Sequence, residues 1–194
     1  RAARRVILTN QRVSLPSWSW THLAPSYGAD EKGTGYALEV LAKVLGGGST
    51  SRLYRKLVIE RGIASNAGAW YSGDGLDYGE FGIYASPKAG GDIDALEKAV
   101  LEELAAALKE GFKPADIDRA KRLMSAQAIY ARDGIRTGPN AIGQAFTQGQ
   151  TIADVEEWPE RISAVTPEQV MAAAKAVIKL KSSVTSILLP EATK

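Results

Sequence analysis

Apolar positions along the chain alternate between a period of two and a period of three to four, and each switch marks an element. Val6-Ile7-Leu8 and Trp18-Ser19-Trp20-Thr21-His22-Leu23 read as strands, with Pro16 breaking between them and Pro25 ending the second. From about Asp30 to Leu45 the spacing turns helical, placing Leu38, Leu41, Ala42 and Leu45 on one stripe. Gly46-Gly47-Gly48 stops that helix. Ser49 or Thr50 is then expected to cap a short helix that carries Leu53 and Leu57 inward.

A hairpin follows, Ile63 to Ser72 and Tyr78 to Ser86, joined by Gly73-Asp74-Gly75-Leu76-Asp77. In its second arm Phe81, Ile83 and Ala85 share one face, opposite Glu80, Gly82 and Tyr84. Ile93, Leu96, Val100, Leu104 and Leu108 predict a helix over about 92–110, closed by Gly111. Pro114 opens another, to about Asp133, with Ile117, Ala120, Met124 and Ala128 inward. Shorter helices are expected at Pro139 to Thr147 and Ile152 to Ile162. Thr166-Pro167-Glu168-Gln169 is a capping box, with Val165 and Val170 as its staple. That helix runs to about Lys179, and Val184 to Leu189 returns as the last strand. Helices clustered between antiparallel strands predict an α+β domain, a mostly antiparallel sheet with helices packed on one face. The reading is one domain over 1–194, with residues 1–5 as a solvated basic tail.

Composition refines this only modestly. The chain has 194 residues, 45% hydrophobic and 24% charged, enough to bury a core. A net charge of +2 is too mild for a nucleic-acid footprint. No apolar run has the length of a membrane span. There is no cysteine, which excludes disulfides and thiolate chemistry. This favours a periplasm slightly over a cytoplasm, although cytosolic proteins lack cysteine too. The first residue is not Met, which predicts a piece of a longer chain with any targeting signal outside it.

Candidate chemistry is sparse. His22 is the single histidine, and zinc needs three or four ligands, so a packed or surface histidine is the better reading. The same count argues against a Ser-His-Asp site, and no Gly-x-Ser-x-Gly elbow is present. Gly46-Gly47-Gly48-Ser49-Thr50 lacks the lysine and the preceding strand of a phosphate loop, so it reads as a structural turn. Asp74, Asp77 and Glu80 lack calcium-loop spacing and read as an acidic turn. Asp92, Asp94 and Glu97 suit a helix first turn. Trp18, Trp20, Trp70 and Tyr71 fit core or groove packing, since no basic stripe accompanies them.

The run Ala37 to Tyr54, with Gly46-Gly47-Gly48-Ser49-Thr50-Ser51-Arg52-Leu53 at its centre, resembles the carboxy-terminal-half domain of the pitrilysin/insulinase zinc metallopeptidases. Glu60-Arg61-Gly62-Ile63-Ala64, Ala115 to Lys121, Ala164 to Val170 and Leu188-Leu189-Pro190-Glu191 extend the likeness along nearly the whole chain. It is most similar to the bacterial two-domain type, related to mitochondrial processing peptidase.

The resemblance implies two homologous halves that clasp a peptide in a closed chamber. Zinc is then expected on a His-x-x-Glu-His motif in an amino-terminal half missing from this sequence, and no cofactor in this one. The family's second half usually supplies an Arg and a Tyr that hold substrate and the oxyanion. Those slots fall here on Val58 and Ser65, neither of which can donate as required; Arg55 is a weak substitute, and Arg61 matches a non-catalytic position. The resemblance therefore implies no catalytic and no metal residue in this fragment. It implies as partners the amino-terminal half, a homologous partner subunit and peptide substrate, with neither nucleic acid nor a membrane span. The parent would be a zinc peptidase subunit or a non-catalytic assembly subunit, and the fragment alone is expected to cleave nothing.

Overall fold

Strands β1 (Arg4–Asn10), β2 (Ser17–Pro25), β3 (Ala64–Ser72), β4 (Tyr78–Pro87) and β5 (Ser183–Pro190) form one sheet in the spatial order β1-β5-β2-β4-β3. The β1–β5 seam is parallel and the other three are antiparallel. This computed structural model describes residues 3–29, 33–131, 134 and 137–191.

Register explains which side of the sheet is covered. Trp18 faces Ala85 and Ile187, Trp20 faces Ile83, and Ala67 and Ala69 continue the row on β3. These residues are all buried and share one face. Helices α1 (Thr34–Gly46), α2 (Ile93–Glu110) and α7 (Pro167–Val177) pack on that face, and α3 (Pro114–Ala131) backs α1. Helix α1 lies between sheet and helices, so Ala37, Val40 and Val44 are buried beside the four expected positions. Helices α4 (Thr137–Thr147), α5 (Ile152–Glu156) and α6 (Trp158–Ala164) close one end of the helical layer.

Several expectations held. Helix α2 forms as expected from Ile93, with Asp92, read as a first-turn charge, standing as its cap and accepting from the Asp94 amide. Thr166 and Gln169 form the full capping box, with Val165 and Val170 buried around it. Thr166→Ala is expected to cost about 1 kcal/mol, read as a drop of a few degrees in melting temperature. An unchanged melting temperature would remove the cap from the list of stabilising contacts.

Other expectations are corrected. Arg4 and Arg5, read as tail, begin β1, and Arg5 Nη1 holds both Glu97 oxygens at 2.8 Å. Glu97, expected in the first turn, lies one residue beyond it and serves as a strand-to-helix clamp, while Asp94 is the first-turn charge. Helix α1 begins at Thr34 after Gly33 in the left-handed conformation; the expected turn at 30–32 lies outside the described residues. So does the end of the third helix at 132–133. Neither Ser49 nor Thr50 caps the next helix. That segment, Tyr54–Glu60, is π-helical, and the Arg61 amide reaches back five residues to Lys56 O at 3.0 Å. Ile152 to Ile162 is two helices, because the chain breaks at Glu157 and restarts with Pro159 in the first turn of α6.

Candidate functional site

Among the described residues no helix packs on the face of the sheet opposite α1, α2 and α7. Its positions include Arg4, Val6 and Leu8 on β1, Val184, Ser186 and Leu188 on β5, and Ser19, Thr21 and Leu23 on β2, with Glu80, Gly82 and Tyr84 on β4 and Gly68 and Trp70 on β3. The aromatics lie flat here. A methyl on Gly82 would come within 2.2 Å of the Trp70 ring, and one on Gly68 within 2.3 Å of the Tyr84 hydroxyl. Each ring thus covers a cross-strand glycine and forms a smooth plate. Trp70 and Tyr84 are each 36% exposed.

Next to the plate runs a strip of small hydroxyls, Ser17, Ser19, Thr21 and Ser186. Beyond it stands β1, whose Val6, Ile7 and Leu8 are all more than half exposed. Ile7 points to the opposite face from Val6 and Leu8, so the middle of β1 is apolar on both sides, between Arg4-Arg5 and Thr9-Asn10. It is also an edge strand. A flat apolar edge of this kind is a template for pairing or for a covering surface.

The glycine turn has a structural job. Arg52, which follows it, donates through Nε to Glu103 at 2.5 Å, through Nη2 to Glu110 at 2.7 Å, and through Nη1 to Gly111 O at 3.3 Å. The guanidinium holds the exposed Glu110 carboxyl below its ordinary range, chiefly through that hydrogen bond. Arg52 therefore ties the turn to the end of α2, and no anion-binding role is left for it.

Val58 is packed against the core on the π-helix. Ser65 is the extra residue of a bulge in β3, between Ala64 paired with Pro87 and Asn66 paired with Ser86. Its hydroxyl donates to Pro87 O at 3.0 Å and lies 3.3 Å from Ser86 O. Arg61 Nη2 pairs with Glu102 at 3.0 Å, and Arg55 is exposed on the π-helix.

His22 lies on the helix-covered face, 7% exposed and stacked on Trp20 with ring centroids 6.1 Å apart. Its Nδ1 sits 2.5 Å from Leu23 O, which can only accept, so Nδ1 carries a proton. Among the described residues no group of three or more His, Cys, Asp or Glu is placed to hold a metal ion, Asp74, Asp77 and Glu80 included. The described residues therefore offer no zinc set. Among the described residues, too, no helix is long and apolar enough to cross a membrane.

Comparison with known proteins places this arrangement. Residues 2–124 match the sequence profile of the peptidase M16 inactive domain. The chain belongs to that family. Over 152 residues this M16 domain is 30% identical to an uncharacterised zinc protease of Streptomyces coelicolor, covering 78% of the chain and 33% of that protein. A protease from Helicobacter pylori superposes with a TM-score of 0.87 at 21% identity, over 97% of the chain and 44% of its own. The inactive peptidase domain of a Bordetella parapertussis protein superposes at 0.82 and 18% identity, covering 96% of the M16 domain and 97% of that chain. The chain thus spans about a third of the curated relative it matches and nearly all of a separately solved inactive domain. The pitrilysin/insulinase resemblance and the α+β architecture are both borne out.

Proposed function

We infer that this domain is the non-metal half of a zinc metallopeptidase subunit, and that its bare sheet face walls the chamber in which peptide is held. The observation that carries this reading is the face itself: flat aromatics over Gly68 and Gly82, a hydroxyl strip and the apolar β1. A monomeric domain gains nothing by leaving such a face to water. A homologous half bearing His-x-x-Glu-His would supply zinc and the general base. This half would supply shape and a surface for extended peptide. At the helper slots Val58 has no donor and the Ser65 hydroxyl is spent on Pro87 O, so the oxyanion-holding Arg and Tyr would come from a partner subunit.

The test is a photo-reactive residue placed at Thr21 in the two-domain parent, incubated with an unfolded peptide. Crosslinks to peptide or to the companion half are expected there, and none from the outer surface of α2. Equal labelling at both places would sink the chamber reading. The 194-residue chain alone is expected to retain no stoichiometric zinc on elemental analysis and to leave a quenched fluorescent peptide intact. One tightly held zinc per chain, or cleavage by the lone chain, would overturn the assignment of halves. Absence of His-x-x-Glu-His from the companion half would turn the parent into an assembly subunit instead.

A further inference from the structure

The largest cavity described lies away from the bare face, at the end of the helical layer where α1 and α6 meet the turn between β3 and β4. Its volume is about 890 Å³. Tyr27, Tyr36 and Trp158 wall it with aromatic surface, and Glu39 lies between them. Tyr27 donates to Glu39 Oε2 at 2.5 Å, and Trp158 Nε1 donates to the same oxygen at 2.9 Å. Both donors are spent on one oxygen, leaving Oε1 without a donor among the described residues.

The cage is pre-built. Tyr27 and Tyr36 have ring centroids 5.1 Å apart, and Tyr71 meets Tyr27 edge-on at 5.7 Å while donating to Pro25 O at 2.6 Å. No described cation forms an ion pair with Glu39, although the Lys43 charge favours its ionised form from a distance. Lys43, one turn further along α1, gives its ammonium to Gln127 at 3.0 Å. Arg161 is engaged by Asp154 at 2.6 Å, Glu157 at 2.9 Å and the Tyr36 hydroxyl at 2.7 Å, with its guanidinium 5.6 Å from the Tyr36 ring centre. Asp74, Glu156 and Glu160 add further negative charge, and no described Lys or Arg lines the cavity. Burial raises the Glu39 carboxyl above its ordinary range against the pull of its two donors. Its ionised form is therefore one that a cation would stabilise.

We propose that this cavity binds the cationic side chain of an extended peptide, an arginine or lysine, with Glu39 as counter-ion and the tyrosines and Trp158 as its aromatic walls. Aromatic faces attract desolvated cations, and a buried carboxylate with one free oxygen gives the charge a directed partner. The site stands at the end of the helical layer, so the proposal does not rest on the chamber reading.

Calorimetric titration of the 194-residue chain with acetyl-Ala-Ala-Arg-Ala-Ala-amide tests it, against the twin peptide in which arginine is replaced by uncharged citrulline. The arginine peptide is expected to bind at least about tenfold more tightly, a difference that Glu39→Gln abolishes and higher salt reduces. Asp74→Asn with Glu160→Gln alters only exposed rim positions and is expected to weaken the arginine peptide alone, which keeps the test decisive if Glu39→Gln unfolds the chain. Equal affinity for both peptides, no binding of either, or full binding by the rim variant overturns the proposal. Displacement of the peptide by millimolar calcium, with calcium binding in its own right, would make this an inorganic-cation site and overturn it equally.

Discussion

Gly46→Ala is expected to destabilise the domain by about 3 kcal/mol or more, the upper range for overpacked cores, or to prevent folding. Gly46 ends α1 where the helix sits directly on β3. A methyl there would lie 1.7 Å from the Ala69 nitrogen, 2.3 Å from the Gly68 carbonyl carbon and 2.6 Å from Ala69 Cα. Every one of these atoms is backbone, so no side chain can rotate away. Either α1 lifts from the sheet or β3 bends, and both moves open the best-packed part of the core around Leu41 and Leu45. Helix propensity alone would predict the opposite sign, since alanine in a helix gains about 1 kcal/mol over glycine. Chemical denaturation decides between them through the urea midpoint. Gly48→Ala is the control: Gly48 has φ 121° but nothing within 4 Å, so its penalty is purely conformational, about 1–2 kcal/mol. A Gly46→Ala midpoint at or above wild type would show that α1 does not sit as closely on β3 as described.

Arg52→Ala is expected to cost about 3–5 kcal/mol, because it leaves a buried carboxylate without its cation. Glu103 is the carboxylate that matters, 9% exposed on the inner side of α2. Glu110, the second partner, has 64% of its side chain exposed and contributes little. Arg52→Met with Glu103→Leu is expected to recover most of the loss, since removing both charges also removes the need for solvation. Additive losses in that double-mutant cycle would contradict a coupled pair. The pH dependence offers a second reading. Glu110 is held below its ordinary range in the folded chain, so its contribution is present above the unfolded-state value and lost as pH falls. Arg52→Ala is expected to flatten that acid limb.

The elements most legible in the sequence are those with local signals. The Thr166 capping box, the Asp92 cap, the strand alternation of β2 and the hairpin all announce themselves within a few residues. What escaped detection depends on distant partners. Arg4 and Arg5 look like a solvated tail because the strand that pairs with them, β5, is some 180 positions away. The π-helix at Tyr54–Glu60 shares its Leu53–Leu57 spacing with an ordinary helix, and its wider turn shows only in the folded backbone, as in the Arg61 amide bonded to Lys56 O. Glu39, set in an apolar run between Leu38 and Val40, reads as a solvent-facing charge until Trp158 arrives from another helix. Its one local hint was the density of apolar residues around it, with Lys43 one turn on as the helix's other charge. The Trp70 plate was legible in part: the alternation placed Gly82 and Tyr84 on the face away from Phe81, but only the β3–β4 register sets rings over glycines. The pause at Glu157 was available in the sequence, because Pro159 forbids an uninterrupted helix from Ile152.

The parallel seam between β1 and β5 has a consequence for how the chain reaches this fold. It joins the earliest strand to the latest, so it cannot zip until every intervening element has been made. Loop-closure entropy grows only slowly with length, but the wait is set by order of appearance, and contacts this remote slow the search for the native topology. Within this domain β1 is made before the other strands and must wait for β5, with Val6-Ile7-Leu8 uncovered, while β2, β4 and β3 pair without it. The sheet is therefore a three-strand early unit, β2-β4-β3, to which β5 and then β1 dock late as a border. That border is the part of the molecule most vulnerable to pairing with the wrong chain during synthesis.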